Sequence, residues 1–241
     1  MIDERKVLNA LLRTKFKVFL HYAVRTLNAG APLLDNWHLD AIAYQLERVR
    51  TGEVTRLIIN VPPRHLKSIT VSVAFPAFLL GHDPRRRIFG ISYSNDLSYK
   101  HAADFRTIVE SGWFQRAFPN MKIDRAAGGD VFTTRRGFRK ATSVKATLTG
   151  LGGGVFIIDD PQKPEDAQSE ALRNDINQWF SNTLLSRLDN KQTGVIIVVM
   201  QRVHLNDLTG HLLEKSQDWT VLNLAAIAEE DERIEVGKGE F

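Results

Sequence analysis

The segment Leu57–Ile69, LIINVPPRHLKSI, constrains the fold more than any other, because an apolar run of strand character empties into a short loop ending in Lys67-Ser68. In a loop of the form G-x-x-x-x-G-K-[ST], backbone N–H groups wrap phosphates, the lysine meets the β/γ oxygens and the hydroxyl holds Mg²⁺. Val61 and Leu66 stand at the two glycine positions here, so the turn around a phosphate has to be made with a leucine. The same residues also read as a buried strand followed by a Pro-stiffened loop.

Farther along, Gly152–Pro161 (GGGVFIIDDP) is a second apolar run, ending in adjacent carboxylates. An aspartate at the tip of such a strand can hold Mg²⁺ beside a phosphate loop, and the next acid can polarise the attacking water. On that pattern Asp159 is the metal carboxylate and Asp160 the candidate general base. Asp160 is shorter than the glutamate usual at this place and has farther to reach. Asp-Asp-Pro is equally ordinary chemistry for a turn that ends a strand. Both motifs in this order, each after an apolar run, make coincidence a poor account.

The 241 residues, 43% hydrophobic and 25% charged, fit one large α/β domain of a globular protein. Charges scattered through the N-terminus argue against a secretory leader, and no apolar run is long enough to cross a membrane. The absence of cysteine excludes disulfides and thiolate metal sites. The net charge of +4 is modest, but basic residues gather at Arg85–Arg87 and at Arg135, Arg136, Arg139, Lys140 and Lys145. These clusters read either as surface that meets a phosphate backbone or as solvated loops. The tail from Glu229 to Glu235 is mainly acidic.

Apolar periodicity predicts helices over Asp3–Leu27 and His38–Arg50, broken at Asn28–Pro32. The period then changes, predicting strands at Arg56–Val61, Arg87–Ser92, Gly154–Ile158, Gly194–Met200 and Thr220–Leu224. Helices are expected at Ser68–Leu80, Asn95–Ser111 (capped near Asp96), Glu170–Leu188 and Leu205–Lys215. Val131–Thr134 and Lys140–Val144 read as a hairpin around Arg136-Gly137. Strands apolar throughout and alternating with helices imply a mainly parallel sheet covered on both faces, with ligands at the carboxyl ends of the strands.

With these pieces in order the chain resembles the large terminase subunit of tailed bacteriophages and prophages, the motor that drives DNA into a procapsid. The resemblance runs from about Trp37 to Leu213. It is carried by G-x-x-x-R-L-I-I-N-x-P-P-R-H-x-K-S (Gly52–Ser68), S-Y-S with its following helix (Ser92–Arg106), T-G-x-G (Thr149–Gly152), I-I-D-D-P-x-K (Ile157–Lys163) and Q-R-x-H-x-x-D-L-x-G (Gln201–Gly210). Two positions depart from it: Leu66, where relatives keep glycine, and Leu151, where a basic residue is expected.

The resemblance implies a P-loop NTPase fold of the RecA-like, ASCE type, with residues 1–50 as a helical segment packed on the motor and 51–228 as the ATPase domain. Residues 229–241 would begin a linker to a nuclease domain, and nuclease activity in this chain is not expected. Pro63, Arg64, His65, Leu66, Lys67, Ser68 and Ile69 would form the Walker A loop around ATP. Ser68 and the Walker B residue Asp159 would hold Mg²⁺, and Asp160 would orient water. Trp37 and His38 would stand near adenine, although an aromatic packing the start of a helix reads the same. Gln201 and Arg202 would sense the γ-phosphate and couple its loss to DNA movement. Arg106, with Arg87 and Arg135 as rivals, is the candidate arginine supplied to a neighbouring subunit's site.

Implied partners are double-stranded DNA, the portal protein, the small terminase subunit and further copies of the chain in a ring, in the host cytoplasm and not at a membrane. Two other readings share the first two motifs: a helicase-like or other P-loop ATPase acting on nucleic acid, and an assembly or DNA-binding module without efficient turnover.

Overall fold

The computed structural model describes residues 3–144, 146, 150, 152–227 and 231–241. Lys145, Thr149, Leu151, Glu229 and Glu230 therefore lie outside the described residues, and with them most of the T-G-x-G element and part of the acidic tail. The remainder folds around one eight-stranded sheet ordered β3-β4-β5-β2-β6-β7-β1-β8. Three helices come first: α1 (Glu4–Thr14), α2 (Phe16–Leu27) and α3 (Trp37–Thr51). Next come β1 (Arg56–Asn60), a π-helical segment (Ile69–Ala74) running into α4 (Phe75–His82), β2 (Arg87–Ser92), α5 (Asn95–Glu110) and α6 (Gly112–Ala117). The antiparallel edge is β3 (Ile123–Ala127), β4 (Asp130–Thr133) and β5 (Phe138–Ser143). The chain ends through β6 (Val155–Asp159), α7 (Glu170–Trp179), β7 (Val195–Met200), α8 (Leu208–Lys215) and β8 (Thr220–Asn223).

Strands from β5 to β8 pair in parallel, and β6 and β7 are buried at every position, as their unbroken apolar sequences require. Alternate residues feed two cores. Leu57, Ile59, Ile88, Ile157 and Ile197 face a layer built from α1 to α6, rich in phenylalanine. Ile58, Phe89, Phe156, Ile158 and Val198 face the other layer, with Ile176, Phe180 and Leu212. No helix among the described residues is long and apolar enough to cross a membrane.

The sequence expectations need several corrections. The first helix is two, because Lys15 is extended (φ −126°, ψ 105°) and the freed Phe16 N–H donates to Glu47 Oε1 at 2.8 Å. That break turns Phe16 into the core. Ser94, not Asp96, caps α5, accepting from the Leu97 N–H. The helix expected to reach Leu188 is regular only to Trp179 and passes into π and 3₁₀ turns. The helix expected from Leu205 starts at Leu208, capped by Asp207. The strand β3 and the short helix α6 carried no periodic signal long enough to find. Arg139, placed with the basic surface clusters, is fully buried, since β5 turns it toward α5. Lys140 beside it is half-buried and bonded to Asp130.

Candidate functional site

At the carboxyl ends of the strands the chain leaves β1 through Val61, whose N–H donates to the Met200 carbonyl at 3.1 Å. Asn60 is tied on both sides: its carbonyl accepts from Leu224 N–H at 2.8 Å, and its side-chain oxygen accepts from the buried Thr209 hydroxyl at 3.1 Å. From this fixed start the loop turns through Arg64 (φ 67°) and Leu66 (φ 58°), both in the left-handed region. A leucine there costs about 1–2 kcal/mol relative to glycine, so Leu66 adopts the conformation for which a glycine would be the easy choice. Its side chain, packed against the helical core, holds it there.

Loop and carboxylate strand meet with only β7 between β1 and β6. Lys67 Nζ lies 3.0 Å from Asp160 Oδ2, and both groups are largely shielded from water. Asp160 has a positive φ of 43°, and its other oxygen accepts the Gln201 N–H at 3.0 Å. The neighbouring Asp159 is 1% exposed. Its Oδ1 accepts the Ser68 hydroxyl at 3.1 Å, and its Oδ2 accepts the Ser72 hydroxyl at 2.6 Å. Burial, and then the charge of Asp160, push the Asp159 carboxyl up to about 7.

His101 on α5 completes the group, with Nδ1 3.7 Å from Asp159 Oδ2. Burial pulls its imidazole down to about 4, with the Arg139 guanidinium adding to the shift. Arg139 lies over Gly90, where a Cβ would come within 2.6 Å of its Nη2. None of its three guanidinium nitrogens has a hydrogen-bond partner among the described residues, and burial lowers it to about 10.

A second part of the site is a cavity of ≈ 310 Å³ lined by Trp37, His38, Val61, Pro62, His65 and Leu224, among others. The His38 ring stands 5.5 Å from that of His65, with Nε2 3.3 Å from the His65 carbonyl oxygen. His65 Nδ1 in turn lies 2.9 Å from the Pro63 carbonyl oxygen. Trp37 is 55% exposed at its rim.

Pro63 to Ser68, Trp37, His38, Asp159, Asp160 and Gln201 are thus brought to one end of the sheet, and Ile69 begins the π-helical segment beside them. Arg202 is used differently. Its Nε donates to both oxygens of the fully buried Asp207, at 3.0 and 2.9 Å, and its Nη2 donates to the His204 and Leu205 carbonyls. The Q-R-x-H-x-x-D-L-x-G element is therefore a folded turn, in which Gly210 is required because a Cβ would meet Leu205 O at 1.9 Å. Arg106 is not in the group: it is 51% exposed on α5 and bonded to Glu110 at 2.7 Å. Arg87 pairs with Asp189 at 3.3 Å, and Arg135 is exposed at the hairpin.

Sequence reading missed Ser72 and His101. The available signals were Ser72 one helical turn beyond Ser68, and a histidine on the apolar stripe of α5 among Ser98, Ala102 and Phe105.

Among the described residues no set of three or more His, Asp or Glu side chains could hold a metal by itself. Ser68 and Asp159 offer hard oxygen donors, which suits a Mg²⁺ that draws its remaining ligands from water and phosphate rather than from a protein cage.

No family model matches the chain, and no curated protein matches its sequence. Among solved structures, the fold is similar to that of the HK97 bacteriophage large terminase, with a TM-score of 0.60 at 16% identity over 91% of this chain. The match spans 45% of that chain's length.

Proposed function

We propose that this chain is the ATP-hydrolysing motor domain of a DNA-packaging terminase, built on a P-loop NTPase fold. The observation that carries the reading is the meeting of Lys67, Ser68, Asp159 and Asp160, from two strand ends separated by one strand, within contacts of 3.1 Å or less. In this reading residues 1–50 brace the motor, 51–228 form it and 229–241 lead toward a further domain.

Pro63 to Ile69 would surround the triphosphate, and Lys67 would neutralise charge on the departing γ-phosphoryl. Ser68 and Asp159 would hold Mg²⁺, which supplies charge neutralisation at the β/γ oxygens. Asp160 would orient the attacking water, and Gln201, whose N–H fixes that carboxylate, would report loss of phosphate. Arg202 would act in coupling through the turn it braces. The Trp37–His38–His65 cavity is of a size to take adenine. Arg106 is the proposed arginine supplied to a neighbouring copy in a ring, and the proposed partners are double-stranded DNA, portal protein and small terminase subunit, in the host cytoplasm.

The test is phosphate release from ATP as a function of Mg²⁺ and protein concentration. Release should rise more than linearly with protein and vanish in Lys67→Ala and Asp159→Ala. A second reading, a module that binds nucleotide or DNA without turnover, draws support from the Lys67–Asp160 pair, which occupies both reacting groups. Nucleotide binding with no release at any concentration would select it.

A further inference from the structure

Asp159 is held unevenly. Oδ1 faces Ser68, the hydroxyl that opens the helical run after the loop, whereas Oδ2 is turned into the interior against Ser72 and His101. The inner contact is the shorter, 2.6 Å against 3.1 Å, and both inner partners are as buried as the carboxylate itself: Ser72 is 2% exposed and His101 4%. A carboxylate with one oxygen committed to a buried hydroxyl cannot rotate about its Cβ–Cγ bond without losing that bond in a site water does not reach.

The supports come from separate elements. Ser72 stands in the π-helical segment Ile69–Ala74, next to the turn that carries Ser68, and Thr70, Val71, Val73 and Ala74 around it are buried. His101 stands on α5, packed behind β2 and β5, with Phe105 one turn away in the core. Neither can approach a ligand in the open part of the site, so neither is a candidate ligand. Both are placed to act through Asp159.

Resting on the reading of Ser68 and Asp159 as the cation-holding pair, we infer that Ser72, with His101 beside the same carboxylate oxygen, is a positioning residue. It locks Asp159 so that Oδ1 alone is presented beside Ser68 for a divalent cation. Orienting partners of this kind typically govern metal affinity by about 10–100-fold.

The experiment measures Mn²⁺ affinity by electron paramagnetic resonance on the full chain with a non-hydrolysable ATP analogue, beside analogue affinity in EDTA. Wild type, Ser72→Ala, Ser72→Thr and His101→Gln are compared. Ser72→Ala should weaken Mn²⁺ binding about tenfold or more, Ser72→Thr should stay within about threefold of wild type, and His101→Gln should fall between them. Metal-free affinity for the analogue should not move in any of them, which separates orientation of the carboxylate from general damage. If Ser72→Ala does not fold, Ser72→Cys, of similar volume but a poor donor, should show the same loss. Wild-type Mn²⁺ affinity in Ser72→Ala, or in Ser72→Cys, overturns the inference and leaves the cation site standing. Wild-type protein that binds the analogue but no Mn²⁺ overturns the cation site and the inference with it.

Discussion

Asp159 and Arg139 are both ionisable and buried, and they project from the same face of the sheet with only β2 between their strands. Their surroundings differ sharply. Asp159 sits at a strand end and accepts hydroxyl hydrogen bonds on both oxygens, while Arg139 sits in mid-sheet against Phe105, with Asp130 as the acid acting on it and no hydrogen-bond partner. A buried ionisable group hydrogen-bonded on both oxygens at a strand end is what the proposed function requires of a working group. One packed over a glycine and an aromatic ring without a hydrogen bond reads as a packing solution. His101 has Nδ1 3.7 Å from Asp159 Oδ2, and the Arg139 charge adds to the lowering of its imidazole pKa.

Substitution should separate the two. Asp159→Asn keeps the shape and removes the charge, and should reduce Mg²⁺-dependent phosphate release by roughly 10²–10³-fold while the urea midpoint holds or rises. A variant that hydrolyses ATP normally would break the comparison at its first term. Arg139→Met should do the reverse, raising stability by ~1–3 kcal/mol, because an unpartnered interior charge is replaced by an apolar chain of similar length. A clear loss of stability in denaturant unfolding would mean that the guanidinium has a partner whose value exceeds its desolvation.

The pH dependence is a finer test. His101 is held down near 4 from 6.5, so between those values the unfolded chain binds a proton the native chain refuses, and stability rises with pH. Asp159, held up near 7 from 3.8, keeps a proton the unfolded chain has lost, and stability falls with pH over that range. The two slopes, each about 1.4 kcal/mol per pH unit, oppose one another from pH 4 to 6.5. Metal-free wild type should therefore be nearly flat there, whereas His101→Gln should lose stability from pH 4 to 7, read as a falling urea midpoint.

The smallest effect is expected at Leu66→Gly. Relief of about 1–2 kcal/mol of left-handed strain is offset by lost apolar contact and greater unfolded-state freedom. The melting temperature should move by only a few degrees, while nucleotide affinity should not fall. A tenfold loss of affinity would show that the leucine side chain itself shapes the loop.

Much of this was legible in the sequence. Fully apolar runs identified the parallel strands, Lys67-Ser68 and Asp159-Asp160 marked the ends that converge, and Arg136-Gly137 marked the hairpin. Legibility failed where a residue's meaning depends on a distant neighbour. Phe16 breaks a helix because Glu47 caps it, Arg139 is interior because Gly90 leaves room, and Ser72 touches Asp159 because the helix after the loop passes beneath β6. Leu66 illustrates the opposite failure. The glycine rule named the conformation correctly, and packing supplied it with the wrong residue.

The Lys67–Asp160 contact has a bearing on timing. Lys67 and Asp160 are each other's counterion, so under the proposed function a bound phosphate would compete with Asp160 for Lys67, and the carboxylate would turn toward water only once it had lost that partner. Under that reading, readiness to hydrolyse would follow from binding instead of preceding it, with the ligand itself unfastening the catch.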